Sequence, residues 1–286
     1  MSDMLPQAVG EWCASAGFGE ILTLRPVGGG CINNGAVLKT VSGESFFLKT
    51  NQDAAADMFA REAEGLKALC VSGGPRLPFP YLFDTQFILL EDLAPTERSK
   101  DYWPIFGRQL AALHNHTEQR FGFVHDNYIG STPQPNPWTV DGYTFFSEYR
   151  LLHQAQMARR RGLVDLGIYQ RVEHLCTRLT ELVPEQPASL IHGDLWSGNA
   201  MTGSGGEPAI IDPAAYYGWA EADLAMTDLF GVFPSEFYDA YLEVRPLHSG
   251  FRDRFPLYNL YHLLNHLNLF GGSYFGQVLS VLYKFN

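Results

Sequence analysis

Cysteine is scarce. Cys13, Cys31, Cys70 and Cys176 are the four in 286 residues, far apart and with no Cys-X-X-Cys pair. Such spacing excludes a disulfide-dense scaffold and predicts a reduced, intracellular chain. Met1-Ser2-Asp3-Met4 has no positive start leading into an apolar stretch, so no signal peptide is expected. No apolar run reaches the ~18 residues that would span a bilayer. Basic charge is short as well: 20 Lys+Arg stand against 31 Asp+Glu, a formal net charge of −11. That balance argues against a general binder of nucleic acid or anionic membrane, but says nothing of one local cleft. With 46% hydrophobic and 18% charged residues, disorder is excluded and a sizeable core is affordable. The expectation is a soluble cytoplasmic protein with one large domain or two lobes.

The pattern along the chain favours two lobes. Short β-prone runs over Ile21–Pro26 and Ala36–Val41 flank a glycine cluster, and Ser45–Lys49 follows a Ser42-Gly43 turn signal. Ala54–Leu69 has helical spacing, with Phe59, Ala63, Leu66 and Leu69 on one stripe. Beyond the breaker-rich Pro75–Pro80, Tyr81–Phe83 and Gln86–Leu90 read as a hairpin. The rest is mostly helical, around Trp103–Leu113, Tyr143–Arg161, Leu166–Leu182 and Phe230–Phe285. Arg120–Trp138 reads as a long ordered loop. Two short strands, Leu190-Ile191 and Ala209–Ile211, bracket a Gly-rich stretch. The predicted fold class is α+β: a small β-rich N-terminal lobe (1–92) with one key helix, joined near Glu91–Arg98 to a larger helical lobe (93–286).

The chemistry concentrates in Ile191-His192-Gly193-Asp194-Leu195-Trp196-Ser197-Gly198-Asn199 and in Ile210-Ile211-Asp212-Pro213. A carboxylate, an amide five positions on and a second carboxylate eighteen positions on is a kinase arrangement. Asp194 would accept a substrate hydroxyl proton. Asn199 and Asp212 would hold Mg²⁺, a hard cation that prefers oxygen. A surface turn rich in polar residues is the bland alternative, and the joint spacing speaks against it. Gly28, Gly29, Gly30, Cys31 and Ile32 lie between strands, where glycines let backbone N–H groups approach ATP phosphates. An ordinary hairpin reads the same, and Asn33 stands where GxGxxG has its third glycine. Lys49 ends the next strand, the kinase position for the α/β-phosphates, although alternation leaves its direction open. Glu62 shares the apolar helical stripe, so Lys49 is its natural partner; Arg61 or Lys67 at the helix surface is the alternative. Backbone groups of Glu91, Asp92 and Leu93 would meet adenine, or simply end a strand. Gly193 in place of the Arg of HRD, and Pro213-Ala214 in place of the Phe-Gly of DFG, indicate a small-molecule kinase with a constitutively formed site.

At this point the chain resembles the fructosamine kinase (ketosamine-3-kinase) family, part of the aminoglycoside-phosphotransferase-like group with a protein-kinase-like fold. GGGCI (28–32), the Phe59…Glu62…Leu66 helix, LAALH (110–114), FGFVHDNYIGSTPQPNPW (121–138), HGDLWSGN (192–199), IIDPAAYYG (210–218), EADLAM (221–226), LFG (229–231) and LYHLLNHLNLFGG (260–272) carry the resemblance over nearly the whole chain. It implies ATP-dependent phosphorylation of O3 on the sugar of small or protein-bound ketoamines, a deglycation step. Trp219 stands where the family commonly has His, and Gly142 where a second Trp often follows. On the substrate side the expected residues are Trp196, Tyr217, Trp219, His262 and Asn265. For Trp196, Tyr217, His262 and Asn265 a plain core role is the alternative. Leu263 at the Glu position of HExxH rules out a zinc site at His262 and His266. Cys31, in the presumed phosphate loop, is either a redox-sensitive thiol or a small residue that fits. A monomer or a weak, redox-linked homodimer suits the sequence equally. The rival readings are a kinase for another small alcohol, of aminoglycoside, choline or homoserine type, and an inactive nucleotide-binding module.

Overall fold

The computed structural model describes residues 5–28 and 33–285. Helix α1 (Gln7–Ser15) precedes strands β1 (Ile21–Val27), β2 (Asn34–Thr40) and β3 (Ser45–Thr50). Helix α2 (Met58–Leu69) follows, then β4 (Pro80–Asp84) and β5 (Phe87–Glu91). The five strands form one antiparallel sheet in the order β1-β2-β3-β5-β4.

Alternation explains how the sheet is covered. On β5, Phe87 and Leu89 face α1 with Phe46, Leu48, Val9 and Cys13, whereas Ile88 and Leu90 face α2 with Phe59, Ala63 and Leu66. Both faces of β5 are buried, which is why it reads as an unbroken apolar run. On β3 the same parity puts Phe46 and Leu48 under α1, so Lys49 emerges on the α2 face. The sequence analysis expected one helix in this lobe; the structure has two. Helix α1 escaped because it buries only Val9 and Cys13, too few positions to show a period.

The chain then enters α3 (Tyr102–His114), β6 (Thr117–Glu118) and a hairpin of β7 (Asn127–Ile129) and β8 (Thr132–Gln134). The expected loop over 120–138 therefore contains paired strands. Helix α4 (Gly142–Phe146) runs through a π-helical segment, Ser147–Leu152, into α5 (His153–Arg160). Then come α6 (Leu166–Thr177), α7 (Leu179–Leu182), β9 (Ala188–Ile191), β10 (Ala200–Thr202), β11 (Pro208–Ile210) and β12 (Tyr216–Gly218). The remainder is α8 (Ala220–Leu229), α9 (Ser235–Val244), α10 (Phe251–Phe270), a 3₁₀ turn and α11 (Phe275–Phe285). Strand β9 lies between β12 and β6, while β10 pairs with β11. The main core spans this lobe from Tyr102 to Leu282, with Leu69 of α2 joining it. Among the described residues no helix is long and apolar enough to cross a membrane.

Helix α10 runs through that core and is buried on most sides. Its polar residues Asn259, His262, Asn265 and Asn268 therefore need partners inside the protein. Asn259 donates to the Ala225 carbonyl (2.7 Å), Asn265 to that of Ile129 (3.5 Å) and Asn268 to that of Gln154 (3.0 Å). Nδ1 of His262 has no hydrogen-bond partner among the described residues.

Candidate active site

The loop after β9 carries Asp194, and its shape is set from beneath. Asp223, on α8 and fully buried, accepts the backbone N–H of His192 (2.6 Å) and of Gly193 (2.8 Å). His114 Nε2 lies 3.2 Å from the same carboxylate. Burial pushes Asp223 up, but His114, His192 and the Gly193 amide outweigh it and hold the group below the usual carboxylate range. Gly193 is glycine for two reasons. Its φ is +82°, and a Cβ there would lie 2.2 Å from the Ala214 carbonyl oxygen. His192 ties the loop to the segment opposite: its Nε2 pairs with the Ile211 carbonyl (2.9 Å) and its carbonyl accepts from Ala214 N (2.9 Å). The β10–β11 hairpin returns the chain, and Ile211 N donates to the Asn199 carbonyl (3.1 Å). The segments of Asn199 and Asp212 are thus brought together. The strands doing this are β10 and β11; β9 pairs with β12 and β6.

Above this loop Lys49 donates to Glu62 Oε1 (2.6 Å) and to Asp212 Oδ1. Burial by itself would lower Lys49, but Asp212 and Glu62 outweigh it, so the ammonium stays protonated. Burial pushes Glu62 up, against the pull of Lys49. Glu62 therefore points inward as its stripe position required; Arg61 pairs with Glu64 instead (2.7 Å). Asp212 sits in the left-handed region (φ +57°), the strained backbone that often marks a functional residue. Asn199 Nδ2 donates to the Asp194 carbonyl (2.8 Å), which commits its nitrogen and leaves Oδ1 as the atom for a cation. Asp194 keeps 21% of its side chain exposed. Its pKa is pushed up to about 7 by burial first, then by the Asp212 and Asp223 charges.

One buried cation, a base carboxylate near neutrality and an Asn/Asp pair at one lobe junction are the parts of a phosphoryl-transfer site. The fructosamine kinase family model matches residues 7–285. The chain belongs to the fructosamine kinase family. A Synechocystis protein described as a ketoamine kinase is 44% identical over 90% of this chain and 88% of its own length. A chloroplastic protein of indica rice named protein-ribulosamine 3-kinase is 40% identical over 95% of this chain and 81% of its own. A crystal structure from Thermobifida fusca, described as a fructosamine-3-kinase, superposes with a TM-score of 0.85 at 34% identity, covering 92% of this chain and 93% of that one. A macrolide 2′-phosphotransferase, 12% identical with a TM-score of 0.64 over 99% of this chain and 98% of its own, shares the protein-kinase-like fold.

Of the expected set, Lys49, Glu62 and Asp212 are in direct contact, Asn199 bonds Asp194, and Ile211 ties the two groups through the Asn199 carbonyl. Gly29, Gly30, Cys31 and Ile32 lie outside the described residues; Gly28, before them, is exposed. The Glu91 amide is committed to the Phe79 carbonyl (2.8 Å) and its carboxylate to Arg76 (2.5 Å), so it is no N–H donor for adenine. Asp92 accepts from Ala94 N (3.0 Å), shaping the turn out of β5, and Leu93 is buried there. Trp196 is half-buried beside Phe230, with ring centroids 6.3 Å apart.

Tyr217, Trp219 and Asn265, expected on the substrate side, have packing or hydrogen-bond partners within the fold. Tyr216 pairs with Ile191 and Gly218 with Ser189, so β12 runs away from Asp194. Tyr217 packs on Phe123 and Trp138, and Trp219 is enclosed by Phe121, Tyr143, Phe146 and Tyr258. Gly142 belongs to that same packing: a Cβ there would press on the Phe121 ring at 2.6 Å and on the Trp219 indole nitrogen at 2.9 Å. Asn265 bonds Gln154 (3.3 Å) and the Ile129 carbonyl, joining α10 to α5 and β7. His262, in contrast, sits with Nδ1 4.0 Å from Asp194 Oδ1. Asp223 was given no role from the sequence, although it lies within the EADLAM motif (221–226). Arg150 was passed over as well, since nothing in the helical spacing marked it out.

Proposed function

We propose that this chain is an ATP- and Mg²⁺-dependent ketosamine 3-kinase acting on ribulosamines, erythrulosamines and fructosamines in the cytoplasm. The observation that supports it most is Asp194, a partly exposed carboxylate whose pKa is pushed up to about 7 by burial and by the charge of Asp212, itself paired with Lys49 beside Glu62. The ketoamine assignment rests on family membership and on the names of the relatives. The scattered cysteines support the compartment.

The residues present fit Mg²⁺. Among the described residues no group of three or more His, Cys, Asp or Glu side chains could hold a metal alone. Asn199 Oδ1 and Asp212 supply two oxygens on one side, as suits an ion completed by phosphates and water. When bound, Mg²⁺ neutralises phosphate charge. Lys49 holds the α/β-phosphates, and Glu62 keeps its ammonium in place. Leu93, the Glu91 carbonyl and the Gly28–Ile32 segment are the remaining nucleotide contacts in this reading. Asp194 accepts the proton of the sugar hydroxyl as that oxygen attacks the γ-phosphorus. Trp196 offers an apolar face to the sugar.

A coupled ADP-release assay with ribulose-lysine, erythrulose-lysine and fructose-lysine, with ATP alone as blank, tests this. Ketoamine-dependent ADP release is expected. A folded protein that none of the three stimulates would point to a kinase for another alcohol.

A further inference from the structure

His262 has been placed next to Asp194 without a bond to it. The 4.0 Å between Nδ1 and Asp194 Oδ1 is too long for a hydrogen bond. Nδ1 is nevertheless buried and without a partner among the described residues, in a residue 4% exposed. An unpaired buried ring nitrogen is costly, so the position calls for a partner that arrives with substrate. Neighbouring side chains do not supply it. His266 Nδ1 bonds the His262 backbone carbonyl (2.9 Å), and Tyr261 O–H donates to Gln134 Oε1 (2.6 Å). Burial, then the neighbouring His266 and Arg150, lowers the His262 pKa to about 3. The ring is therefore neutral, and simple ion pairing with Asp194 is excluded.

A gap of this length is what one hydroxyl fills. An oxygen about 2.8 Å from each atom closes it with an angle near 90° at the oxygen, inside ordinary hydrogen-bond geometry. Resting on the function proposed above, we infer that His262 is a catalytic residue that holds the acceptor hydroxyl against Asp194. Nδ1–H donates to the hydroxyl oxygen while the hydroxyl donates to Asp194 Oδ1. The remaining lone pair forms the bond to the γ-phosphorus. The bond from that phosphorus to the β,γ-bridging oxygen breaks, and its electron pair leaves on ADP. The hydroxyl proton passes to Asp194, and His262 keeps its own. Two fixed contacts leave the attacking oxygen little freedom, which is the positional part of catalysis.

The test compares His262→Asn, His262→Gln and His262→Leu with the parent enzyme. Asn places an amide nitrogen where Nδ1 stands, Gln reaches toward Nε2, and Leu removes the polar atom. Saturating ATP and ribulose-lysine give kcat and KM. Affinity for a non-hydrolysable ATP analogue reports whether each variant is folded. With that affinity kept, His262→Leu and His262→Gln are expected to lose kcat about 10–100-fold, the worth of one hydrogen bond to the reacting group. His262→Asn should stay within about 3-fold of the parent, since it restores the donor. Parent-like kcat in His262→Leu overturns the inference. An equal fall in the Asn and Leu variants overturns it too, because a packing role would not be rescued by an amide. A parent that phosphorylates no ketoamine would defeat the functional reading and this one together. Parent activity with an indifferent His262→Leu defeats this one alone.

Discussion

Asp194 is held in an environment that serves chemistry at the expense of stability. Its pKa stands near 7 instead of the usual 3.8 because burial and the Asp212 and Asp223 charges oppose its ionised form. With the folded pKa raised, the ionised group destabilises the fold above pH 7, and the penalty fades as pH falls toward 3.8. Asp194→Asn should therefore abolish turnover and also raise stability at pH 8 by about 2 kcal/mol, allowing for partial solvent screening. The gain should shrink at pH 5. Denaturant titration without nucleotide or metal checks both, and a variant less stable than the parent at pH 8 would contradict the account. Gly193→Ala carries the opposite expectation. A Cβ 2.2 Å from the Ala214 oxygen at a left-handed φ should cost at least about 2 kcal/mol and displace Asp194 with it. Melting curves and kcat read the two losses together; a neutral substitution would mean that the loop is not braced as described. At this scale the sequence was most legible. Asp194, Asn199, Asp212, Lys49 and Glu62 announce themselves by type and spacing. The direction of a ring nitrogen does not, so the approach of His262 Nδ1 to Asp194 Oδ1 was not visible in the sequence. The surroundings of Tyr217 and Trp219 depend on which way β12 runs, a tertiary fact that spacing does not carry.

The long segment from Phe121 to Trp138 acts as an element in its own right. Gln134 Nε2 donates to the Ala214 carbonyl (3.1 Å) and Asn127 Nδ2 to that of Ala215 (2.8 Å), so the segment grips the chain just after Asp212. On its other side it meets α2: His125 pairs with Glu64 (2.8 Å) and Tyr128 with Asp57 (2.6 Å). One segment thus braces both the connection that follows Asp212 and the helix that carries Glu62. Its own anchor is Arg150, fully buried in the π-helical turn and, among the described residues, without a carboxylate in hydrogen-bond contact. The guanidinium stacks over Tyr216 at 3.9 Å from the ring centroid and donates to the Pro135 carbonyl (2.8 Å) and Asn136 Oδ1 (2.6 Å). Arg150→Met leaves those acceptors buried and unpaired, which should cost about 2–4 kcal/mol and lower kcat. Denaturant unfolding and turnover measure it; a loss under about 1 kcal/mol would show that the anchor lies elsewhere. The aromatic and Asn-Pro content of the segment predicted order. It did not predict a hairpin, because β7 and β8 have three residues each, below the length at which alternation is recognisable.

At the scale of the whole molecule, two bodies meet at Lys49. The sheet lobe supplies Lys49 and Glu62 through strand parity and one helix face. The helical lobe supplies Asp194, Asn199 and Asp212 on loops tied to buried Asp223 and His192. The composition had left a two-lobed acidic chain; the fold brings Glu62 and Asp212 together on Lys49, sets Asp194 in the field of Asp212, and places Asp223 beneath the Asp194 loop. The central claim is that this site moves the γ-phosphoryl of ATP to O3 of a ketoamine sugar with Asp194 as base. The most direct measurement is NMR of the product formed from ATP and ribulose-lysine, read with the ADP released. The account predicts phosphate on O3, one ADP per product, and none of either with Asp194→Asn. Phosphate on another oxygen, or product formed undiminished by Asp194→Asn, would contradict it.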